Sequence, residues 1–228
     1  EMRAVFMDGV ESIELRSAPI PKPGDGEALL KVMSCSVCGS DIKIFRYGNK
    51  RMRYPVIVGH EIAGEVVEVG AGVSAVSVGD RVAVGADVPA VWNTNVRGQG
   101  SFIDYATGHE FDGGFAEYML LNQRMLEFGP VTHIPHHLSF DEAALTEPLA
   151  CAVKGLAYGQ FGPGKSICVI GLGPIGCATA RLVAERDNLD LVGAVDIDPA
   201  KVGKDVADVI GLDAPLGVEV KPSVGEVG

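Results

Sequence analysis

The chain has 228 residues, of which 47% are hydrophobic and 21% are charged, so it can bury one large core or two smaller ones. Its formal net charge of −11 argues against a nucleic-acid partner, because phosphate binding needs a basic face. No basic-then-apolar leader opens the sequence, and glycines and a proline interrupt its longest uncharged stretch, 166–180. Neither a signal peptide nor a membrane span is therefore predicted.

The cysteines indicate a reducing compartment. There are five of them, an odd number, and their spacing is not that of a disulfide framework. The sequence therefore predicts thiols that are free or bound to a metal, and a cytoplasmic location.

Residues 1–150 have the pattern of short β-strands. Runs rich in Val and Ile, such as "EALLKVMSCSV", "GHEIAGEVVEVG" and "GDRVAVGADV", are bounded by Gly, Pro and Asp. Strands at this spacing predict a barrel or a sandwich. A helical connection is expected to begin near residue 139, because Ser139 is a good N-cap, Glu142 follows three residues later, and apolar residues then recur at helical spacing.

The pattern changes to alternating strands and helices from Lys165. "KSICVIGLGPIGCATARLVAERD" predicts a buried strand, a glycine-rich turn and a helix, and "LDLVGAVDID" predicts a second strand. A second helix is expected to begin at Pro199, and "GVEV" can start a third strand. This βαβ order predicts a parallel sheet and two domains, 1–150 and 151–228.

The turn "GLGPIG" fits the G-x-G-x-x-G pattern of dinucleotide-binding proteins. Gly171 would make the tight turn, Gly173 would let a pyrophosphate approach the helix N-terminus, and Gly176 would let helix and strand pack closely. A carboxylate at the end of the next strand can bind the adenosine ribose of NAD and repel a 2′-phosphate. The plain alternative is a tight turn followed by a capping Asp. The predicted nucleotide site comprises Gly171, Gly173, Pro174, Ile175, Gly176 and Asp196.

The stretch "CSVCGSD" holds a Cys-x-x-Cys pair that allows three interpretations. A structural zinc site usually needs a second pair, and the sequence has none. A redox dithiol would lie in a thioredoxin-like βαβ unit, whereas these surroundings are β-rich. The third interpretation is one metal thiolate with distant partners, for which His60, Glu61 and Glu147 are candidates, although an isolated His or Glu is more often structural or solvated.

Six motifs occur in an order that resembles one enzyme family: "CSVCGSD", "GHEIAGEVVEVG", "VGDRV", "GGFAEY", "EPLACAVKG" and "VIGLGPIG". Over residues 1–180 the chain is similar to the zinc-dependent medium-chain dehydrogenase/reductase family, above all its polyol (sorbitol-like) and threonine dehydrogenase branch. The resemblance implies a chaperonin-10-like β-barrel catalytic domain followed by an α/β Rossmann-type domain with a parallel sheet. It also implies hydride transfer from a secondary alcohol or polyol to NAD.

The resemblance also implies a ligand set for one catalytic zinc ion. Cys38, directly before Gly-Ser-Asp, matches the zinc thiolate, and His60 matches the imidazole ligand. Glu61 and Glu147 match acidic positions that exchange as ligand and near-ligand in the polyol branch. Cys35 would then be a bystander.

Catalytic roles follow from the same resemblance for Ser40, Asp41 and Glu61. Ser40 matches the hydroxyl that passes on the substrate proton, and Asp41 matches a position that orients a ligand. Many relatives have a His three residues after this Ser, where the present sequence has Lys43. The expected partner is a small alcohol or polyol, and the protein is expected to form a homo-oligomer.

The sequence departs from the family pattern in two further ways. Four cysteines of a structural zinc lobe are replaced, so no structural zinc is expected; the residues at these places are Ala90, Asn93, Val96 and Asp104. The second domain is expected to be truncated, because residues 166–228 provide only two or three of about six strands.

The tail from 190 to 228 is more similar to dihydrodipicolinate-reductase-like nucleotide-binding domains, and a junction of two sequence types is expected near 180–190. The alternative function is therefore a truncated or hybrid chain that binds zinc or nucleotide without turnover.

Overall fold

The computed structural model describes residues 1–88, 105–129, 131–159 and 163–227. It divides into two compact units, Glu1–Glu147 and Pro148–Gly228. The four positions of the expected zinc-free lobe, Ala90, Asn93, Val96 and Asp104, lie outside the described residues.

The first unit is built mainly of short strands, as the sequence predicts, and their pairing is antiparallel. Its strands are β1 (Met2–Gly9), β2 (Ser12–Ala18), β3 (Ala28–Ser36), β4 (Val56–Ile57), β5 (Glu61–Val69), β6 (Arg81–Val84), β7 (Asp87–Val88), β8 (Tyr105–Ala106), β9 (Tyr118–Leu121) and β10 (Val131–His133). Its helices are α1 (Gly39–Tyr47), α2 (Gln123–Phe128) and α3 (Phe140–Ala144), and α4 (Thr146–Tyr158) begins in it.

Three sheets organise these strands. Their orders are β10-β6-β5-β3-β9, β2-β1-β4 and β7-β8. Residues on β3, β5 and β6 that are almost wholly buried form the main core, with Leu30, Ile62 and Val82 at its centre. Ser36 at the end of β3 pairs with Glu61 at the start of β5, so this pairing brings Cys38 and His60 to the same edge of the sheet.

The predicted cap at Ser139 is confirmed, but the helix after it is divided. Ser139 Oγ accepts a hydrogen bond from the Glu142 backbone N–H at 3.1 Å, and Glu142 Oε2 accepts one from the Ser139 N–H at 2.7 Å. Leu145 then ends α3, and α4 begins at Thr146. The helical connection expected from residue 139 therefore consists of two helices.

The second unit contains the predicted parallel sheet. Its strands β11 (Lys165–Ile170), β12 (Leu189–Val195) and β13 (Val220–Lys221) pair in this order. The helices α5 (Pro174–Ala184) and α6 (Val206–Ile210) connect them, and a short 3₁₀ helix spans Val224–Glu226. Leu172, Ala180, Val183 and Val206 are almost wholly buried in its core.

The prediction that the second helix begins at Pro199 is wrong. Residues 199–203 form a turn, and α6 begins only at Val206. Gly203 has φ +82°, which a helix does not accommodate. Asp205 then caps the helix, because its Oδ1 accepts the Ala207 N–H at 2.8 Å.

Within the described ranges, none of the helices is both long enough and apolar enough to cross a membrane.

Candidate metal and nucleotide sites

Three side chains of different chemistry meet where β3 ends and β5 begins. The ligand atoms of Cys38, His60 and Glu61 all lie within 4.8 Å of one another. His60 and Glu61 are buried, and Cys38, the N-cap residue of α1, is partly buried. A thiolate, an imidazole and a carboxylate are all zinc ligands, and three protein ligands with a fourth position open are typical of catalytic zinc sites.

The fourth predicted ligand, Glu147, does not belong to this cluster. Glu147 lies in the first turn of α4 and is partly buried, but its carboxylate is not among the three grouped donors. Cys35 also lies outside the group. Burial raises the pKa of the Cys35 thiol to about 12.

Asp41 contacts two of the three residues of the candidate metal site, Cys38 and His60. Its Oδ2 accepts the Cys38 backbone N–H at 2.8 Å, and its Oδ1 lies 3.4 Å from His60 Nδ1. Nδ1 has no well-aligned hydrogen-bond partner among the described residues, so the Asp41 contact is an ion-pair contact. An acidic group beside Nδ1 leaves Nε2 as the nitrogen available to a metal.

Ser40 lies on the other side of the same ring. Its Oγ is 3.2 Å from His60 Nε2, which is within hydrogen-bond distance. The hydroxyl of Ser40 is thus next to the ring nitrogen of a candidate metal ligand.

The electrostatics of the site fit a divalent cation. Burial lowers the pKa of His60, but the neighbouring Asp41 and Cys38 outweigh this effect and raise it to about 9. Acidic donors around a buried imidazole therefore favour a positive charge at this point. The donor set and its charge suit zinc.

We expect zinc affinity to increase with pH until about pH 9, because the raised pKa keeps the His60 imidazole protonated below that value. That proton must leave before Nε2 can bind, and each released proton makes the affinity change about tenfold per pH unit. Zinc competition titrations from neutral to alkaline pH would measure this slope. An affinity that does not change with pH would contradict the prediction.

The glycine-rich turn of the second unit has the local geometry of its predicted role. Gly171 has φ +88°, which favours glycine, and a Cβ built on Gly176 would overlap the carbonyl oxygen of Gly171. Gly173 is the N-cap of α5, and Pro174 opens the helix. The side chain of Ile175 is exposed.

Asp196 directly follows β12 and faces this turn. Its Oδ2 accepts the Leu172 N–H at 2.6 Å, and its Oδ1 accepts the Asp198 N–H at 2.9 Å. Lys201 Nζ lies 3.4 Å from Oδ2 and donates to the Leu172 carbonyl at 2.9 Å. The Asp198 hydrogen bond, followed by those from Leu172 and Lys201, keeps the pKa of Asp196 below its usual value despite burial.

Sequence reasoning overlooked two residues next to these sites. The sequence pattern predicts a helix at Lys201, whereas the structure has a turn there that brings Lys201 to Asp196. His109 lies in a second Gly-His-Glu tripeptide, 108–110, and its ring centroid is 6.2 Å from that of His60. The repeated tripeptide was the signal that could have identified His109.

Comparisons with known proteins agree with this geometry. Residues 24–131 match the family "Alcohol dehydrogenase GroES-like domain". The chain is 30% identical to sorbitol dehydrogenase of Bacillus subtilis (strain 168) over 99% of its own length and 64% of that protein. It is 31% identical to L-threonine 3-dehydrogenase of Thermococcus kodakarensis over 94% of its length and 67% of that protein.

The chain is also similar to a solved dehydrogenase structure. The crystal structure of 2R,3R-butanediol dehydrogenase from Bacillus subtilis matches with a TM-score of 0.75 and 27% identity, over 99% of this chain and 65% of that one. The chain thus spans less than two thirds of that structure and about 64% of the Bacillus subtilis sorbitol dehydrogenase. Together with the matched domain, these relatives confirm the predicted family: the chain belongs to the zinc-dependent medium-chain dehydrogenase/reductase family.

Proposed function

We propose that this chain carries the zinc and nucleotide sites of a dehydrogenase that oxidises a secondary alcohol or polyol and passes the hydride to NAD. The observation that supports this most is the cluster of Cys38, His60 and Glu61 with Ser40 Oγ 3.2 Å from His60 Nε2. Such a cluster combines metal donors with a hydroxyl that can move a proton. The relatives described above are named for sorbitol, threonine and butanediol, which all carry a secondary hydroxyl group.

Each residue of the site has a distinct task in this proposal. Cys38, His60 and Glu61 hold the zinc ion, which when bound lowers the pKa of an oxygen that contacts it. Ser40 accepts the proton of the substrate hydroxyl and passes it on. Asp41 keeps the His60 ring and the Cys38 backbone in place. Glu147 remains a proposed exchanging ligand.

For the fold, we propose that residues 1–150 form a chaperonin-10-like barrel domain and that residues 151–228 form a Rossmann-type domain. The parallel order β11-β12-β13 and the glycine-rich turn before α5 support the second assignment. NAD would bind with its pyrophosphate at Gly173 and its adenosine ribose near Asp196. The cofactor itself supplies the hydride acceptor.

Zinc analysis and a turnover assay on the same preparation test this function. We expect about one zinc per chain and NAD-dependent oxidation of a secondary alcohol, seen as formation of NADH. Binding of zinc, of NAD or of both without turnover would support the alternative, a chain that binds zinc or nucleotide but does not react. Failure to bind zinc would refute the proposed function, and failure to bind either zinc or NAD would refute the alternative as well.

NAD should bind more tightly than NADP, because the Asp196 carboxylate opposes a 2′-phosphate. Lys201 at 3.4 Å offsets part of this charge, so the expected preference is roughly fivefold to tenfold. Titration of both cofactors would measure it, and Asp196→Asn should reduce it. The exposed Asp190 at the start of β12 provides the control Asp190→Asn. Tighter NADP binding, or no effect of Asp196→Asn, would show that another carboxylate sets the preference.

A further inference from the structure

The backbone that leads to the candidate metal ligand His60 makes an enclosed turn at Gly59. Gly59 is buried and has φ +95°, a conformation that residues with a side chain rarely adopt. A Cβ built there would lie 2.6 Å from the ring of Phe115 and 2.9 Å from Cys35 Sγ. Because the Gly59 carbonyl belongs to the planar peptide group shared with His60, the position of Gly59 determines how the His60 backbone is oriented at the metal site.

The segment 110–115, here called the second loop, is hydrogen-bonded to the backbone that precedes His60. Three of its N–H groups donate to three successive carbonyls; the pairs are Gly113 to Ile57 at 2.6 Å, Phe115 to Val58 at 2.9 Å and Gly114 to Gly59 at 2.9 Å. A side chain adds a fourth bond, because Asp112 Oδ1 accepts the Ile57 N–H at 3.0 Å. The second loop therefore fixes the conformation of 57–59, the three residues that lead to His60.

The carboxylate of Glu110 holds the second loop at its start. Its Oε1 accepts from Arg51 Nε at 2.8 Å, and its Oε2 accepts from an Arg51 terminal nitrogen at 3.1 Å and from the Ala106 N–H at 2.8 Å. Burial alone would raise the pKa of Glu110, but the hydrogen bonds from Arg51 and Ala106 outweigh it and keep the pKa below its usual value. The Glu110 side chain is only 11% exposed, so these charge-assisted bonds are largely shielded from water.

We infer that Glu110 is a positioning residue for the metal ligand His60, and that it acts through the second loop and Gly59. The inference rests on the proposed function, since it needs a metal ion at the three grouped donors. Glu110 itself is not one of these donors. Its bonds keep 57–59 in the conformation that places the imidazole before an ion binds. Without them the loop backbone gains freedom, and part of the binding free energy is used to order it again.

Cobalt binding to the full chain tests this inference without turnover. Co²⁺ binds to the same kinds of ligand as zinc, and its visible absorption depends on the geometry of those ligands. Glu110→Ala should raise the dissociation constant of Co²⁺ about tenfold and change the spectrum of the bound ion, because residues that only orient a ligand account for about 10- to 100-fold in metal affinity. Thermal unfolding of the metal-free chain records any loss of stability separately.

Further variants test whether the effect comes from the bonds of the Glu110 carboxylate. Arg51→Ala should weaken Co²⁺ binding by a smaller factor, because Glu110 keeps its bond to Ala106. The double variant should bind Co²⁺ no more weakly than Glu110→Ala, since the two side chains act through one contact. Glu110→Gln keeps the shape of the side chain and replaces one acceptor oxygen by an amide nitrogen, so its loss of affinity should be intermediate.

Glu117→Ala is the matched control. The Glu117 carboxylate has the same kinds of partner as that of Glu110, because it accepts from Arg3 Nε at 3.1 Å, from an Arg3 terminal nitrogen at 2.9 Å and from the Arg3 backbone N–H at 2.8 Å. None of these three bonds involves the second loop or residues 57–59. Loss of Glu117 can lower the stability of the chain and should leave the affinity and the spectrum of Co²⁺ unchanged.

The outcomes keep this inference apart from the proposed function. If Glu110→Ala unfolded at a lower temperature but bound Co²⁺ as the unaltered chain does, Glu110 would have a structural role only, and the proposed function would be unaffected. An equal loss of affinity in Glu117→Ala would also overturn the inference. If the unaltered chain bound neither Co²⁺ nor Zn²⁺, the proposed function and the inference would both be refuted. Should Glu110→Ala not fold, Glu110→Gln decides by the same two measurements.

Discussion

Replacement of Cys38 by alanine is expected to reduce the zinc content from about one per chain to almost none. Cys38 supplies the only thiolate of the three grouped donors in the described structure, and His60 and Glu61 alone leave the ion with two protein ligands. Even the loss of a residue that merely orients a ligand costs about 10- to 100-fold in metal affinity, so a lost ligand should cost more. Elemental analysis and competition with a chelator would measure both quantities.

Cys35→Ala is the matched control for this experiment. Cys35 lies three residues earlier, and its buried thiol, with a pKa of about 12, is not one of the grouped donors. Its loss should weaken packing against Gly59 and Gly114 and leave the zinc content unchanged. Equal zinc in Cys38→Ala and in the unaltered chain would mean that the metal binds elsewhere.

Gly176→Ala should abolish NAD binding and destabilise the second unit by about 3 kcal/mol or more. The new Cβ would overlap the carbonyl oxygen of Gly171, which belongs to the backbone and cannot turn aside as a side chain can. Helix α5 would have to move away from the end of β11, and the glycine-rich turn would change shape. Thermal unfolding and NAD titration would record the two effects.

The variant Gly173→Ala should change NAD binding without changing the stability of the second unit. Gly173 has φ −71°, and nothing lies within 4 Å of a Cβ built there, so the second unit should keep its stability. The added methyl group would stand where the pyrophosphate is proposed to approach, so NAD affinity should still decrease.

If Gly176→Ala unfolded at the same temperature as the unaltered chain, the close packing at this turn would not matter for stability.

Local signals in the sequence predicted much of the fold because short-range chemistry determines it. The Ser139 cap depends on Glu142, three residues away, and the close approach of Gly176 to Gly171 lies within one six-residue segment. The start of α6 was predicted wrongly because distant residues take part in fixing it. Asp205 binds the N–H groups of Leu216 and Gly217 as well as that of Ala207, and contacts with residues this far along the chain leave no periodic pattern.

The candidate site was predicted from motifs, and its long-range neighbours were not. Cys38, His60 and Glu61 come together as the family resemblance implied, whereas His109 approaches His60 only because glycines in two distant segments pack together. Lys201 reaches Asp196 through the turn at 199–203, a segment that the sequence indicated as helix. Spacing along the chain cannot show such contacts.

Because Ser36 pairs with Glu61, a bound metal ion would also hinder local opening of the sheet. Cys38 follows β3 by two residues, and Glu61 is the first residue of β5, so one ion would connect the ends of two neighbouring strands. Fraying of these ends would then require the ion to leave. Backbone amides near Ser36 and Ile62 should therefore exchange hydrogen more slowly with solvent when the metal is bound, whereas amides of β11 and β12 should be unaffected.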